Sequence, residues 1–89
     1  MVSEPLIIIN KLGLHARAAA KLTGVASRFS ASVTLTANGK NVDCKSVMSL
    51  MLLAATKGTE IEITAEGSDE NRALEAVCQL INNRFDEDE

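Results

Sequence analysis

The segment SVTLTANGKNVDC, residues 32–44, leaves this chain few folds. Val33, Leu35 and Ala37 alternate with Ser32, Thr34 and Thr36, the period of two of a strand with one apolar and one wet face. Asn38-Gly39 tolerates positive φ at both positions, so a tight hairpin is expected, with a second strand running through Val42 to Cys44. EIEITAEG repeats the alternation, setting Ile61, Ile63 and Ala65 against Glu60, Glu62, Thr64 and Glu66. A further strand is expected at Leu6–Ile9, a β-branched run that ends at Asn10.

Between these stretches the hydrophobic period changes to 3.6. From Ala16 to about Phe29, the residues Ala19, Leu22, Ala26 and Phe29 lay one apolar stripe on a helix, with Lys21, Thr23, Ser27 and Arg28 mostly off it. KSVMSLMLLAATKG predicts a second helix that is apolar on nearly every side. Ser46 is its N-cap, Lys57 lies in its last turn and Gly58 just beyond its end. Ser68, with Asp69 and Glu70 in the following turn, opens a third, whose stripe is Leu74, Val77, Cys78, Ile81 and Phe85. Residues 86–89, DEDE, are expected to be a solvated acidic tail. The order is β-α-β-β-α-β-α. It predicts an α+β fold in which three helices cover one face of a four-stranded antiparallel sheet.

With 89 residues, 46% of them hydrophobic, residues 1–89 suit one domain with one core. A net charge of −3 and the absence of Trp and Tyr argue against nucleic acid as a partner. No apolar run approaches the roughly 18 residues of a membrane span, and the first residues lack the pattern of a secretory signal, so a soluble cytoplasmic protein is expected. Cys44 and Cys78 match no CxxC spacing and have one histidine to share. They read as reduced, partly buried thiols, and neither a metal nor a cofactor is expected.

The only histidine stands in LGLHARAAAKL, directly before the first helix. As N-cap, His15 would lie beside the unpaired N–H groups that open a helix, where anions are favoured by about 0.3–1 kcal/mol and imidazolium is disfavoured. A histidine kept neutral there is a nucleophile, and a phosphoryl group placed on it would meet the N–H groups of Ala16, Arg17 and Ala18. Arg17 adds a permanent planar cation able to clasp phosphate oxygens, and Gly13 allows a sharp turn into the helix. The same residues also fit an ordinary loop with a histidine cap.

GLHARAAAKL resembles the active-site segment of the histidine-containing phosphocarrier (HPr) family of the phosphoenolpyruvate-dependent phosphotransferase system. NGK, KSVMSLMLLAATKG and EIEITAEGSDE follow in that family's order and spacing, so the likeness covers nearly the whole chain. NKLGLHARA, the end of the second helix and FDEDE look most like the nitrogen-related branch, NPr. The resemblance implies an open-faced β-sandwich. It also implies phosphorylation of His15 on Nδ1 by an enzyme I, transfer to a IIA protein, and Arg17 steadying the phosphoryl group in both complexes. The family commonly has proline where this chain has Ala18, which leaves a free donor and a looser helix start.

The resemblance marks Ser46 as well, whose counterpart is a regulatory phosphorylation site in some members. The plain cap is the preferred reading here. It further implies a docking face formed by the second helix and the His15 loop, to which Val47, Met48 and Met51 are assigned; a core role for these three is the alternative. A monomer is expected. Two other classes stay in view: a self-sufficient enzyme of acylphosphatase type, for which no glycine-rich phosphate loop precedes a helix, and a regulatory binding module in which His15 is incidental. A carrier of the sugar branch is the nearest alternative to the nitrogen branch.

Overall fold

A strand with one apolar face needs a cover, and in the computed structural model, which describes residues 1–88, that cover is helical. In chain order the elements are β1 (Val2–Ile7), α1 (Ala16–Ala26), β2 (Ser32–Ala37), β3 (Lys40–Asp43), α2 (Val47–Leu53), β4 (Glu60–Glu66) and α3 (Glu70–Asn82), followed by a tight turn at Arg84–Asp86. The four strands lie in the order β1-β4-β2-β3, every pair antiparallel. Val33 pairs with Ala65 and Leu35 with Ile63, so the two central strands present one apolar surface. The residues between them, Ser32, Glu62 and Glu66 among them, face out and are exposed. At the hairpin Asn38 and Gly39 both have positive φ, 53° and 77°, as the expected turn requires.

Onto the inner face α1 presses Ala18, Ala19, Leu22 and Ala26, α2 adds Leu50 and Leu53, and α3 adds Ala73, Val77, Leu80 and Ile81. The result is the α+β fold expected from the pattern, three helices over one face of a four-stranded antiparallel sheet, and the open-faced sandwich that the resemblance implies. Cys44 and Cys78 are both buried and unpaired. Burial first, then the Asp43 charge, pushes the Cys44 thiol up to about 12. Burial, then Glu4, raises Cys78 to about 11. No helix among the described residues is long and apolar enough to cross a membrane.

Several boundaries differ from the sequence expectation. The first strand is Val2–Ile7 rather than Leu6–Ile9, because β1 is an edge strand and there Pro5 is tolerated. Ile8, just past it, is the fully buried residue of the run, and its backbone pairs with Thr59 and Gly58. α1 stops at Ala26, leaving Phe29 half-buried in the following turn. The second helix ends at Leu53, not near Lys57. Ala54 adopts a left-handed conformation, and Gly58 serves instead in the turn that delivers its N–H to the Ile8 carbonyl at 2.7 Å. α3 is preceded by Asp69 as N-cap rather than Ser68, and the Asp69 carboxylate accepts from the N–H groups of Ser30 and Ala31 at 2.9 and 2.8 Å. Those bonds, the largest influence on it, hold its carboxyl below the usual range.

The largest departure follows α3. Phe85 is fully buried, as its place in the apolar stripe suggested, but not on a helix. Arg84, Phe85 and Asp86 all have left-handed φ, 57°, 54° and 63°. Such a conformation costs a residue other than glycine about 1–2 kcal/mol, so three in succession need compensation. Burial of the Phe85 ring supplies part of it, and Lys21 Nζ donates to the Phe85 carbonyl at 2.9 Å. The turn sends the chain back toward α1. The acidic tail is therefore not simply solvated: Glu87 is largely covered, its side chain 15% exposed, whereas Asp86 and Asp88 are exposed. Glu89 lies outside the described residues.

Candidate functional site

His15 occupies the N-cap of α1 in extended backbone conformation, with φ −77° and ψ 179°. Ala19 N–H makes the first bond of the helix, to the His15 carbonyl at 2.8 Å. The N–H groups of Ala16, Arg17 and Ala18 carry no hydrogen bond among the described residues, and no acidic residue stands in the first turn. This is the open, electropositive helix start that the sequence predicts. Ala16 and Arg17 are exposed, while the Ala18 methyl is buried in the core.

The approach to this cap is built by Asn10 and Gly13. Asn10 is fully buried; Gly13 N–H donates to its carbonyl at 3.2 Å, and its own Nδ2 donates back to the Gly13 carbonyl at 2.8 Å. Gly13 has φ +64°, and a Cβ there would lie 2.6 Å from the Ala55 oxygen and 2.8 Å from Thr56 Cα. The glycine is thus required twice, for its dihedral and for the close approach of the α2–β4 connection. The Ala55 carbonyl accepts from Leu14 N–H at 2.8 Å, which ties the histidine loop to the end of α2.

The His15 side chain makes no bond to its own helix. Its Nε2 lies 2.5 Å from Glu87 Oε2, and the other carboxylate oxygen, Oε1, accepts from Asn10 Nδ2 at 2.9 Å. Burial alone would push the Glu87 carboxyl up. Hydrogen bonds from Asn10 and His15, with the charge that His15 carries when protonated and the charge of Lys21, outweigh it and hold the group below the usual carboxylate range. An ionised carboxylate can only accept, so His15 Nε2 carries the proton of this contact. When the ring is neutral, its lone pair is then on Nδ1.

Arg17 is exposed and makes no ion pair or hydrogen bond among the described residues. With Lys11 and Lys21 it borders a depression whose other side is Asp86, Glu87 and Asp88. A second shallow depression, beside His15, is lined by Leu12, Ala16, Met51 and Ala54. Leu12 and Met51 in its lining are exposed at 65% and 43%, and Met48 at 66% and Leu52 at 75% are exposed on the same short helix as Met51. Val47, grouped with the two methionines from sequence, is half-buried and packs against the core. Ser46 is the N-cap of α2, its hydroxyl oxygen accepting from Ser49 N–H at 3.2 Å. Among the described residues no cluster of His, Cys, Asp and Glu is placed to hold a metal.

Sequence reasoning singled out His15, Arg17 and the helix start; it did not single out Asn10, Leu12 or Glu87, which the structure places beside His15. A lone carboxamide closing the apolar run LIIIN was a usable signal for Asn10. Glu87 gave none, being one of four consecutive acidic residues.

Comparison with known proteins accords with this geometry. The family model described as "PTS HPr component phosphorylation site" matches residues 2–83. The chain is 55% identical over 90 residues to a phosphocarrier protein HPr of Pseudomonas aeruginosa, covering all of both chains. It is 44% identical over 86 residues to a phosphocarrier protein NPr of Shewanella violacea, covering 97% of this chain and 94% of that one. A crystal structure of HPr from Thermoanaerobacter tengcongensis superposes over the whole of both chains with a TM-score of 0.95 at 38% identity. A capped helix start with a histidine and a nearby arginine, the four-stranded sheet under three helices, and the full-length match together place this chain in the HPr family of phosphocarriers of the phosphotransferase system.

Proposed function

We propose that His15 accepts a phosphoryl group on Nδ1 from an enzyme I charged by phosphoenolpyruvate and passes it to a histidine of a IIA protein. The observation that carries this reading is the N-cap position of His15 beside three unbonded N–H groups. Arg17 and the N–H groups of Ala16, Arg17 and Ala18 hold the phosphoryl oxygens. Transfer between two histidines is mostly alignment and charge stabilisation, so the chain acts as a carrier and not as a self-sufficient enzyme, with no metal or cofactor of its own. The exposed Leu12 and Met51 beside His15, and Met48 and Leu52 on the same helix as Met51, receive both partners in turn, with Val47 supporting them from the core. Ser46 acts as a helix cap, its hydroxyl already engaged with Ser49.

The branch proposed is the nitrogen-related one, in which the phosphorylation state of a monomeric cytoplasmic carrier informs regulation. The segments NKLGLHARA and FDEDE and the likeness to an NPr support it. The sugar branch is the second reading, favoured by relatives named HPr at up to 55% identity. Purified protein is mixed with phosphoenolpyruvate and either nitrogen-type or sugar-type enzyme I, and intact mass is followed for wild type and His15→Ala. An acid-labile adduct on wild type alone is expected, formed faster with the nitrogen-type donor. Faster labelling by the sugar-type donor reverses the branch, and no labelling by either leaves a regulatory binding module.

A further inference from the structure

We infer that Glu87 and Asn10 are positioning residues for His15, a relay that fixes its protonated nitrogen and so presents the opposite one as nucleophile. The inference rests on the phosphocarrier reading and deepens it. Three features of the structure support it. The Glu87 carboxylate bridges the two side chains, one oxygen to Asn10 Nδ2 at 2.9 Å and the other to His15 Nε2 at 2.5 Å. Asn10 is fully buried with both bonds made from its Nδ2, while its Oδ1 has no partner among the described residues. An apolar residue would pack at position 10 without that unmet acceptor; the carboxamide is explained by what it holds. Finally, Glu87 reaches His15 only through three consecutive left-handed residues, Arg84 to Asp86, held by the buried Phe85 ring and by Lys21. Strain of this kind persists where the surroundings fix it, and here it delivers one carboxylate to one histidine.

The chemistry follows from which nitrogen is occupied. With Nε2–H donated to Glu87, the neutral ring attacks through Nδ1. The Nδ1–P bond forms as the donor's P–N bond breaks, and the electron pair of that bond returns to the donor ring nitrogen. A protonated donor phosphoimidazole thereby leaves as neutral imidazole, and His15 becomes a phosphoimidazolium whose Nε2 proton stays on the Glu87 hydrogen bond. Glu87 thus faces the positive charge that develops on the ring, on the side away from the incoming phosphoryl group. The other charged groups bordering it are Lys11, Arg17, Lys21, Asp86 and Asp88.

The test compares wild type, Glu87→Ala and Glu87→Gln by two readouts. One is the imidazole N–H resonance of His15 in proton–nitrogen spectra, taken about two pH units above the ordinary histidine range. The other is the rate of phosphorylation by charged enzyme I. Wild type is expected to show a slowly exchanging Nε2–H signal, lost in Glu87→Ala and kept in Glu87→Gln, whose amide oxygen still accepts. The rate is expected to fall about 10-fold in Glu87→Ala through kcat with little change in KM, and to recover in part in Glu87→Gln. A wild-type signal that is absent, or a Glu87→Ala rate equal to wild type, overturns the relay while leaving the carrier reading intact. If wild-type His15 takes no phosphoryl group from any donor, the carrier reading falls and the relay with it, even where the signal persists.

Discussion

Glu87 Oε2 lies 2.5 Å from His15 Nε2, across a sequence separation of 72 residues. The contact joins the last turn of the described chain to the first helix, so it belongs to stability as well as to the site. Because its partners hold the Glu87 carboxyl below the usual range, the group is more acidic folded than unfolded. Its contribution is fully present above the unfolded value, about 4.3, and is lost as pH falls through the folded one. Urea unfolding of wild type and Glu87→Gln is therefore expected to show wild type more stable at neutral pH, with the difference shrinking below about pH 4. A difference that stays constant into strong acid would mean that the carboxylate charge plays no part.

Arg17 is exposed and free of partners among the described residues, so its replacement costs the fold little. Arg17→Ala is expected to change unfolding free energy by less than about 0.5 kcal/mol. A charge-assisted hydrogen bond is worth about 1.5–3 kcal/mol, which corresponds to a transfer rate roughly 10- to 100-fold lower. Arg17→Lys restores the charge without the planar fork and recovers only part of the rate. Rapid-quench measurement of phosphoryl transfer decides this, and an unchanged rate in Arg17→Ala would remove Arg17 from the site.

The proposed docking role and packing can be separated on one helix. Met48 is 66% exposed and Leu52 75%, whereas Val47 packs half-buried against the core. Met48→Asp is expected to leave the melting temperature almost unchanged and to weaken the complex with enzyme I by at least about 1 kcal/mol. Val47→Asp places a charge against apolar neighbours and is expected to lower stability by about 1–3 kcal/mol before binding is considered. Calorimetry of folding and of binding on the two variants measures both effects. A stability loss confined to Met48→Asp would reverse the assignment.

The legible parts of this molecule were those in which one local cause acts alone. Alternation around Asn38-Gly39 and along Glu60–Glu66 specified the sheet face residue by residue, because a strand's period is two whatever packs on it. His15 was readable as a cap because the apolar stripe beginning just after it fixes where the helix starts. The end of α2 was not readable. Lys57 and Gly58 have the chemistry of a helix end, but the Ala55 carbonyl is claimed by Leu14 and the Gly58 N–H by Ile8, and those distant partners unwind the chain at Ala54. The return of Glu87 to His15 depends on burying Phe85 through a left-handed turn, which no periodicity encodes.

Gly13 is where the fold and the site are joined most closely. Alanine there must hold φ near +64°, at about 1–2 kcal/mol, and its Cβ would meet Ala55 oxygen at 2.6 Å and Thr56 Cα at 2.8 Å. Both obstacles are backbone, so no rotamer relieves them and the two loops have to separate. Separation stretches the bond from Leu14 N–H to the Ala55 carbonyl, and an unpaired buried amide costs a further 1–3 kcal/mol or so. Gly13→Ala is expected to lose about 2–4 kcal/mol in denaturant unfolding and to slow phosphorylation of His15, whose cap position depends on that loop. Gly58→Ala is the control: its φ is also positive, +91°, but a Cβ there would meet nothing within 4 Å. It is expected to lose only the dihedral cost and to keep the transfer rate. Equal losses in the two variants would show that the close approach at Gly13 carries no energy and that the histidine loop is held by other contacts.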